Sequence, residues 1–377
     1  MGIKEKIIDY SKQIGIDLIG FTDVGPFEDL KRILMDRKKE DKLSGFEEKD
    51  IVLRVDPKKT LQSAKSIIVI AMSYYINEKK PQGSEKFQFY GRLARIAWGK
   101  DYHIVLMDKL EMLAGFIAGE YDGFEYRPFV DTGPLVDRYL ANRAGIGFYG
   151  YNSAIINEDF GSWIFLGYMI TNIPFKRDKS LKYKSCLGCN LCIEHCPTSA
   201  IEGPYKFDAN KCLSNVLQQK KPIQKEILPV IGDRIYGCDT CQDVCPHNRD
   251  IKKMTAKEFM PTGLSDGVDL IQLLRISNKE FNSLFSGNAS GWIGKKTLQR
   301  NAIIALGNSK DRDAIPYLKS LLRDMRPDIR KITIWALFNI DPKAAGELVS
   351  DIRDSEEDED ILEIIDEYLN SNRKEIL

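Results

Sequence analysis

The stretch "SCLGCNLCIEHCP", residues 185–197, decides how this chain of 377 residues is built. Four of the eight cysteines fall within it, at Cys186, Cys189, Cys192 and Cys196. The other four follow further along the chain, at Cys212, Cys238, Cys241 and Cys245. Such a density of thiols indicates either metal binding or disulfides, and the cellular compartment decides between the two.

Length and composition indicate a globular protein of two or three domains, each with its own core. Hydrophobic residues make up 43% and charged residues 29% of the chain. No apolar run approaches the roughly 20 residues that span a bilayer, and the start, "MGIKEKIIDYSKQIGIDLIG", predicts an amphipathic helix leading into a strand. We therefore expect a cytoplasmic protein without a membrane partner, whose thiols stay reduced and bind metal.

The spacing C-x2-C-x2-C-x3-C-P, beginning at Cys186, is the one with which bacterial ferredoxins hold iron–sulfur clusters. Three closely spaced thiolates bind three irons of one cubane cluster, and the cysteine before proline binds the other cluster. The second run has the same pattern from Cys238 but carries Ile235 where a further cysteine would stand. Cys212 can fill that vacancy.

This crossover rule assigns every cysteine to one of two [4Fe-4S] clusters. The first takes Cys186, Cys189, Cys192 and Cys245. The second takes Cys196, Cys212, Cys238 and Cys241. Zinc is the alternative, but four-cysteine zinc sites usually show two C-x2-C pairs, without the third cysteine at that spacing and the Cys-Pro endings. A simple ferredoxin needs only a fraction of this chain, so we expect the front domain to hold an electron acceptor.

The pattern along the chain predicts three domains and an α+β fold class. Residues 1–175 alternate helix and strand signals, which fits an α/β or an α+β domain. Residues 176–258 form the ferredoxin-like double-cluster module, and residues 259–377 are helical. In that tail "QRNAIIALGN" (299–308) recurs as "RKITIWALFN" (330–339), with a period of 31 that indicates HEAT-like repeats.

Charge is balanced overall, with 55 basic and 55 acidic residues, but its signs are unevenly placed. Basic clusters lie at 176–184, 220–225, 249–257 and 295–300. A local basic face can bind phosphates even in a neutral chain. Solvated loops are the alternative explanation of these clusters.

Several further motifs follow one another in a fixed order. They are "RVDP" (54–57), "GKDYH" (99–103), "VDTGPLVDR" (130–138), "RAGIGFYGYNS" (143–153), "GSWIFLGYMITN" (161–172), "YGCDTCQDVCP" (236–246) and "GKKTLQRNAIIALGN" (294–308). With the cysteine runs, this series resembles the epoxyqueuosine reductase family, cobalamin-dependent enzymes that complete the queuosine modification of tRNA. The resemblance runs over nearly the whole chain.

The resemblance implies a reaction at the tRNA wobble position, where two electrons and two protons convert an epoxide into an alkene and release water. It implies that an external donor supplies electrons through two clusters to cobalamin, which carries the difficult step. Cobalamin cannot be derived from the residues themselves, because the D-x-H-x-x-G signature that starts at Asp101 ends on Leu106. The resemblance implies cobalamin bound without a histidine ligand.

The resemblance also implies a general acid, the aspartate of D-T-G-P, which is Asp131. A carboxylic acid donates near neutral pH only if its pKa is raised, which we expect from burial in an apolar cofactor pocket. The alternative is that Asp131 or Thr132 caps a helix that begins near Pro134. We expect His103 to be a packing or solvent-facing residue, and the other histidines, His195 and His247, to cover the clusters.

Other site residues are predicted from the resemblance. Contacts to cobalamin are expected from Arg54, Asn152, Ser153, Ile155, Leu166 and Asp239. The repeat domain is expected to bind tRNA phosphates through Lys295, Lys296 and Arg300. The modified base must leave the anticodon loop to reach a buried cofactor.

Two positions depart from the family, which usually has lysine where this chain has Tyr151 and glutamate where it has Tyr168. We interpret both changes together, as an ion pair replaced by an aromatic contact between the two tyrosines. Two other functions remain open: a related cobalamin reductase that acts on a small molecule, and a non-enzymatic electron-transfer protein whose repeats bind a protein partner.

Overall fold

The structure, a computed structural model, describes residues 2–76, 87–179, 186 and 188–375, except for the side chains of 266 and 371–375. Packing divides the chain into two compact units. The first consists of residues 1–78, 99–215 and 239–261. The second consists of residues 79–98, 216–238 and 262–377.

These units do not follow the three segments 1–175, 176–258 and 259–377 that composition predicts. The front segment and most of the cysteine-rich segment share the first unit, and residues 216–238 belong to the second. The reason lies in strand pairing, because strand Arg234–Tyr236 pairs with Tyr90–Leu93 inside the second unit. A boundary drawn from composition cannot detect a pairing between such distant segments.

The first unit is built on a four-stranded sheet. In spatial order its strands are Leu18–Thr22, Ser66–Ser73, Ile164–Thr171 and Tyr126–Phe129. The predicted strands in "IDLIGFTDV", "SIIVIAMSYY" and "SWIFLGYMIT" are therefore confirmed. Every pairing in this sheet is antiparallel, so α+β is correct and the α/β description of the front domain is wrong. Alternating helix and strand signals in a sequence do not show whether a helix connects two neighbouring parallel strands. Only such crossover helices produce a parallel sheet.

Helices cover this sheet because its central strands are apolar on both faces. Strand Ser66–Ser73 is buried along its whole length. Helix Tyr102–Glu120 packs near Gly167, where an added Cβ would lie 3.3 Å from Leu110. Successive strand residues point to opposite faces, so Tyr168 belongs to the core on the other face.

The remaining elements of the first unit are short. Its other helices are Ile3–Gln13, Glu28–Lys39, Ile51–Val55, Asp137–Arg143, Leu191–Glu194 and Thr240–Asp243, with 3-10 turns at Pro57–Lys59, Pro246–Asn248 and Lys257–Phe259. Two hairpins pair Phe148–Tyr149 with Ile155–Ile156 and Ile201–Gly203 with Lys206–Phe207. Helix Leu213–Gln218 runs across the boundary between the units.

The second unit combines a small sheet with a series of helices. Strand Tyr90–Leu93 pairs with Arg234–Tyr236 and Val268–Asp269. Its helices are Leu228–Ile231, Leu270–Arg275, Asn278–Phe285, Lys295–Ser309, Ile315–Lys319, Pro327–Ile340, Pro342–Arg353 and Glu359–Glu375, with 3-10 turns at Arg95–Ala97, Gly263–Asp266, Gly291–Ile293, Arg312–Ala314 and Ser320–Arg323. Within the described part of the chain, no helix has the length and apolar character required to cross a membrane.

The predicted repeat is confirmed as a pair of packed helices. Helices Lys295–Ser309 and Pro327–Ile340 carry the two copies of the period-31 motif. They approach closely at Gly307, where an added Cβ would lie 2.9 Å from Cα of Ala336. Glycine at this position therefore lets the two backbones pack directly against each other.

Arg300 is not the phosphate contact that the sequence predicts. Its side chain is buried, with 8% of its surface exposed. The guanidinium donates hydrogen bonds to three carbonyl oxygens within the second unit, those of Leu217, Gln219 and Lys221. Helical periodicity alone could not show that residues 217–221 return to this helix. Arg300 is a structural cation, whereas Lys296 is exposed and pairs with Asp328 at 2.6 Å.

We predict that Arg300→Met lowers the free energy of unfolding by about 3 kcal/mol, because it leaves buried carbonyl groups without a donor. Lys296→Met is the matched control and should change it by less than about 0.5 kcal/mol, because exposed ion pairs contribute little. Anaerobic urea unfolding followed by circular dichroism measures both. Equal effects of the two substitutions would contradict the structural role of Arg300.

Candidate active site and cluster centre

Asp131 lies in a strained turn directly after strand Tyr126–Phe129. Its backbone φ is +57°, a conformation that residues other than glycine rarely adopt. The amide of Thr132 donates to the carbonyl oxygen of Val130 at 2.6 Å, which closes a three-residue turn around Asp131. The Asp131 side chain is 65% exposed. The turn therefore presents a carboxylate that a substrate can reach.

His103 connects this carboxylate to a second one. Asp101 caps helix Tyr102–Glu120 by accepting from the His103 amide, and its Oδ1 lies 2.8 Å from Nδ1 of His103. Nε2 of His103 lies 3.5 Å from Oδ2 of Asp131. The hydroxyl of Tyr102 donates to the same Asp131 oxygen at 3.0 Å. Tyr102 and His103 of "GKDYH" thus contact the Asp131 carboxylate, and Asp101 contacts His103.

Charge in this group favours a proton on the imidazole. Desolvation acts against the charged form of His103, but its bonds to Asp101 and Asp131 outweigh that effect and raise its pKa to about 9. Desolvation likewise acts to raise the pKa of Asp131, but the hydrogen bond and charge of His103 lower it below its ordinary value. At neutral pH the pair is therefore an imidazolium beside a carboxylate.

Two expectations about Asp131 are corrected by this geometry. We expected burial to raise its pKa, but the neighbouring imidazolium lowers it. The capping alternative is also wrong, because the next helix begins at Asp137, its N-cap is Val136, and no side chain caps it. The proton that the pair can donate resides on His103, a residue for which we expected only a packing or solvent-facing role.

Asp137 lies behind the turn. Its Oδ2 accepts from the amide of Asp131 at 3.1 Å. Desolvation, and then the charge of Asp131, raise the pKa of Asp137 to about 7. A carboxylate with this environment is a typical feature of functional sites.

The hairpin Phe148–Ile156 carries three of the six predicted cofactor contacts. Asn152 and Ile155 are buried, and Ser153 has a φ of +62°. The guanidinium of Arg138 donates to the Ser153 carbonyl oxygen at 2.9 Å, which ties this hairpin to the segment that follows Asp137. Arg138 therefore connects the hairpin to the helix start whose first residue, Asp137, lies next to it in sequence.

Five buried side-chain polar atoms in the described part of the first unit have no hydrogen-bond partner, and two of them belong to predicted cofactor contacts. These two are Nη1 of Arg54 and Nδ2 of Asn152. Burial lowers the pKa of Arg54, the charge of Glu47 acts against this lowering, and the nearby positive charges of Arg37 and Arg138 add to it. Buried unsatisfied donors are rare in native proteins and require an explanation, such as a ligand that accepts hydrogen bonds.

The other two predicted contacts lie in the same unit but are less distinctive. Leu166 is partly buried and packs against the core on the sheet. Asp239 is buried, with 5% of its surface exposed, and it follows the predicted cluster ligand Cys238 in sequence.

The structure brings together the four cysteines predicted for the first cluster. Desolvation raises the pKa of the Cys245 thiol, and the nearby thiols of Cys186 and Cys189 raise it further. Desolvation also raises the pKa of Cys192 to about 11, with added contributions from Cys186 and Cys245. Cys245, from the second run, therefore lies among the three cysteines of the first run.

Two local features hold these thiols in place. Cys245 and Cys186 pack against Phe148 and Ile156 of the cofactor hairpin. The Tyr151 amide, in the hairpin turn, lies 3.4 Å from Sγ of Cys186 and donates to it. The predicted first cluster is thus in direct contact with the predicted cofactor turn.

None of the eight cysteines forms a disulfide. Among the described residues, no three His, Cys, Asp or Glu side chains gather closely enough to hold a single metal ion. Each thiolate of a four-iron cluster binds a different iron, so the assignment of the first cluster rests on the spacing of the cysteines and on the proximity of the four thiols. The second ligand set, Cys196, Cys212, Cys238 and Cys241, remains a prediction.

The hypothesis of a contact between Tyr151 and Tyr168 is wrong. Tyr168 is fully buried on the central strand and its ring lies 5.3 Å from that of Phe129. Tyr151 lies in the hairpin turn, and its ring lies 5.2 Å from that of Tyr205. Each tyrosine therefore has its own aromatic partner, Phe129 for Tyr168 and Tyr205 for Tyr151.

Sequence reasoning missed His103, Asp101, Tyr102 and Asp137 as members of the site. A signal for the first three was present in "GKDYH", in which an N-cap aspartate and a histidine two residues later must lie at the same helix start. The aspartate of "VDR" likewise follows Asp131 by six residues. His195 and His247 are exposed, and a role in covering the clusters remains a prediction for both.

Family models match three parts of the chain. "Epoxyqueuosine reductase QueG, DUF1730" matches residues 54–132, "4Fe-4S double cluster binding domain" matches 185–248, and "HEAT repeats" matches 294–369. The site and these matches define a redox protein that joins a double [4Fe-4S] domain to a helical-repeat domain.

Whole-chain comparisons narrow this class to one family. The chain is 42% identical over 361 residues to the epoxyqueuosine reductase of Bacillus cereus, covering 96% of this chain and 95% of that protein. It superposes with a TM-score of 0.92, at 40% identity, on a crystal structure of epoxyqueuosine reductase with an epoxyqueuosine-modified tRNA-Tyr stem loop, covering 98% of this chain and 99% of that one. It matches a Bacillus subtilis structure with a TM-score of 0.92, at 39% identity and 98% coverage of both chains. The chain belongs to the epoxyqueuosine reductase family.

The crossover of ligands between the two runs predicts how cysteine substitutions combine. Anaerobic wild-type protein should contain about eight irons, and both Cys192→Ala and Cys245→Ala should reduce this number to about four. The double substitution should also leave about four, because both cysteines bind the same cluster. Iron and sulfide analysis with Mössbauer spectroscopy measures this. If the double variant instead lost nearly all iron, Cys245 would belong to the other cluster.

Proposed function

We propose that this protein reduces epoxyqueuosine to queuosine at the wobble position of tRNA and removes the epoxide oxygen as water. The observation that carries the proposal is the Asp101–His103–Asp131 group in the same unit as four clustered thiols. Membership of the epoxyqueuosine reductase family supports the same reaction. So does the likeness to a relative solved with an epoxyqueuosine-modified stem loop.

The reaction needs two electrons and two protons for each epoxide, and these residues can supply the first proton. As the C–O bond breaks, negative charge develops on the oxygen and requires a donor. In this proposal the exposed Asp131 carboxyl group contacts the substrate oxygen. The protonated imidazole of His103, whose Nε2 lies 3.5 Å from Oδ2 of Asp131, is the source of the proton. Asp101 keeps the imidazole oriented and charged. Tyr102 fixes the Asp131 oxygen with its hydroxyl, and its ring stacks on that of Phe165 at 4.3 Å.

The residues of the first unit fit a bound cobalamin. The orphaned donors of Arg54 and Asn152 suit a ligand that is rich in amide and phosphate oxygens. Ser153 with its positive φ, together with Ile155, Leu166 and Asp239, would complete the contacts. When bound, cobalamin supplies low-valent cobalt chemistry that the side chains lack. The protein contributes orientation, exclusion of water and the proton donor.

Two [4Fe-4S] clusters would deliver the electrons from an external donor. Cys186, Cys189, Cys192 and Cys245 would hold the first, next to the cofactor hairpin. Cys196, Cys212, Cys238 and Cys241 would hold the second. The hydrogen bond from the Tyr151 amide to Cys186 supports a position of the first cluster next to the proposed cofactor site.

The tRNA would bind through the helical repeats. Lys295 and Lys296 begin helix Lys295–Ser309, and both remain candidates for phosphate contacts. Arg300 is excluded from this role by its burial. Phosphate contacts position the RNA without reading its bases, so recognition of the modified base falls to the Asp131 site.

The decisive experiment is anaerobic reconstitution with iron, sulfide and cobalamin, followed by mass analysis of wobble nucleosides from treated epoxyqueuosine-tRNA. We expect conversion to queuosine under a strong reductant. Asp131→Asn should lower the rate by about 10² to 10⁴-fold, the usual contribution of a positioned acid. Persistence of the epoxide in wild-type reactions would contradict the proposal.

The same assay separates the alternative functions. Equal reduction of a small epoxide and of tRNA would favour a small-molecule reductase, and reducible clusters without substrate turnover would favour an electron-transfer protein. Joint replacement of Lys295 and Lys296 by alanine should reduce the slope of log K for tRNA binding against log salt concentration. The reduction should correspond to the loss of about two phosphate contacts. Lys319→Ala, which removes an exposed charge from another helix, is the control.

A further inference from the structure

The Asp131 turn needs support from its surroundings. A residue other than glycine with φ of +57° is held in an unfavourable conformation, and such strain persists only where neighbouring groups fix it. In the Bacillus subtilis relative, one solved structure has its aspartate catalytic loop swung out of the active site. Which groups fix the turn in this chain is therefore a question about its own residues.

Two side chains fix this segment, one at each end. At the start, Oδ2 of Asp137 accepts from the Asp131 amide at 3.1 Å. At the end, the Tyr168 hydroxyl accepts from the Leu135 amide at 3.1 Å. Both side chains accept hydrogen bonds from backbone amides. They therefore hold the main chain and leave the Asp131 carboxylate available to the substrate.

Tyr168 is a rigid point of attachment. It lies on strand Ile164–Thr171, which is paired on both sides, with Val69 and Phe129 opposite it. Its side chain has no exposed surface. Contact with the turn is close, because a Cβ at Gly133 would lie 2.2 Å from the Tyr168 hydroxyl oxygen. The glycine of D-T-G-P therefore lets the main chain pack onto this hydroxyl.

We infer that Asp137 and Tyr168 form a two-point latch that holds the Asp131 turn in its working conformation. Both are positioning residues that act through Asp131 and do not touch the substrate. The expected effect of the latch on catalysis rests on the proposed role of Asp131. The expected effect of the latch on the conformation of the turn does not depend on the reaction.

Amide hydrogen exchange of residues 130–137 tests the latch without any turnover. Tyr168→Phe keeps the ring in the core and removes only the hydroxyl, so exchange at Leu135 should become at least fivefold faster. Tyr139→Phe is the matched control, because it removes another buried hydroxyl, one that donates to Asp29 at 2.7 Å. It should leave exchange in this segment unchanged. Unchanged Leu135 exchange in Tyr168→Phe would overturn the inference.

The other end of the latch has its own pair of variants. Asp137→Asn retains an acceptor oxygen and should preserve protection of the Asp131 amide. In Asp137→Ala, exchange of the Asp131 amide should become at least fivefold faster. Equal exchange in the two variants would contradict a latch at this end.

Kinetics then separates the latch from the proposed function. On epoxyqueuosine-tRNA, Tyr168→Phe should lower kcat at least fivefold with KM unchanged, and Tyr139→Phe should alter neither. An increase in KM alone would contradict a positioning role. If Asp131→Asn kept full activity, the acid assignment would fail, while the exchange data would still decide whether the latch exists.

Discussion

The constraint on which the first unit depends is that thiolates from two separate runs must meet. Cys245 lies among the three cysteines that begin at Cys186, although it follows the last of them, Cys192, by 53 positions. The chain therefore has to return to the first unit after the excursion of residues 216–238 into the second. Asn248 secures that return, because its side chain accepts from the Ser162 amide at 2.7 Å and donates to the Gln242 carbonyl oxygen.

The same return of the chain connects the predicted cluster thiols to the Asp131 turn. The hairpin Phe148–Ile156 packs on the cluster thiols, and its turn receives the Arg138 guanidinium. Arg138 follows Asp137, which holds the Asp131 amide. Hydrogen bonds and adjacent residues thus connect Cys186 to Asp131 within one unit. The arrangement supports a reaction in which electrons and a proton reach the same bond.

The sequence revealed the components that depend on local spacing. The cysteine runs, the period of 31 and three of the four strands of the sheet are short-range patterns, so they could be recognised in one chain. Asp131 was identified only through resemblance. The partnership of His103 with Asp131 could not be predicted, because it requires the start of one helix to meet a turn 28 residues later. The wrong predictions for Arg300 and for the Tyr151–Tyr168 pair share this cause, since burial is decided by distant segments.

The central claim is that the Asp131 turn delivers a proton that His103 holds. The most direct test is the pH dependence of single-turnover reduction of an epoxyqueuosine stem loop, compared between wild type and His103→Gln. Two carboxylates raise the pKa of His103 to about 9, so the wild-type rate should fall as pH rises through about 9 and the imidazolium loses its proton. His103→Gln should react slowly and lack this fall. An identical fall in both proteins would contradict the account.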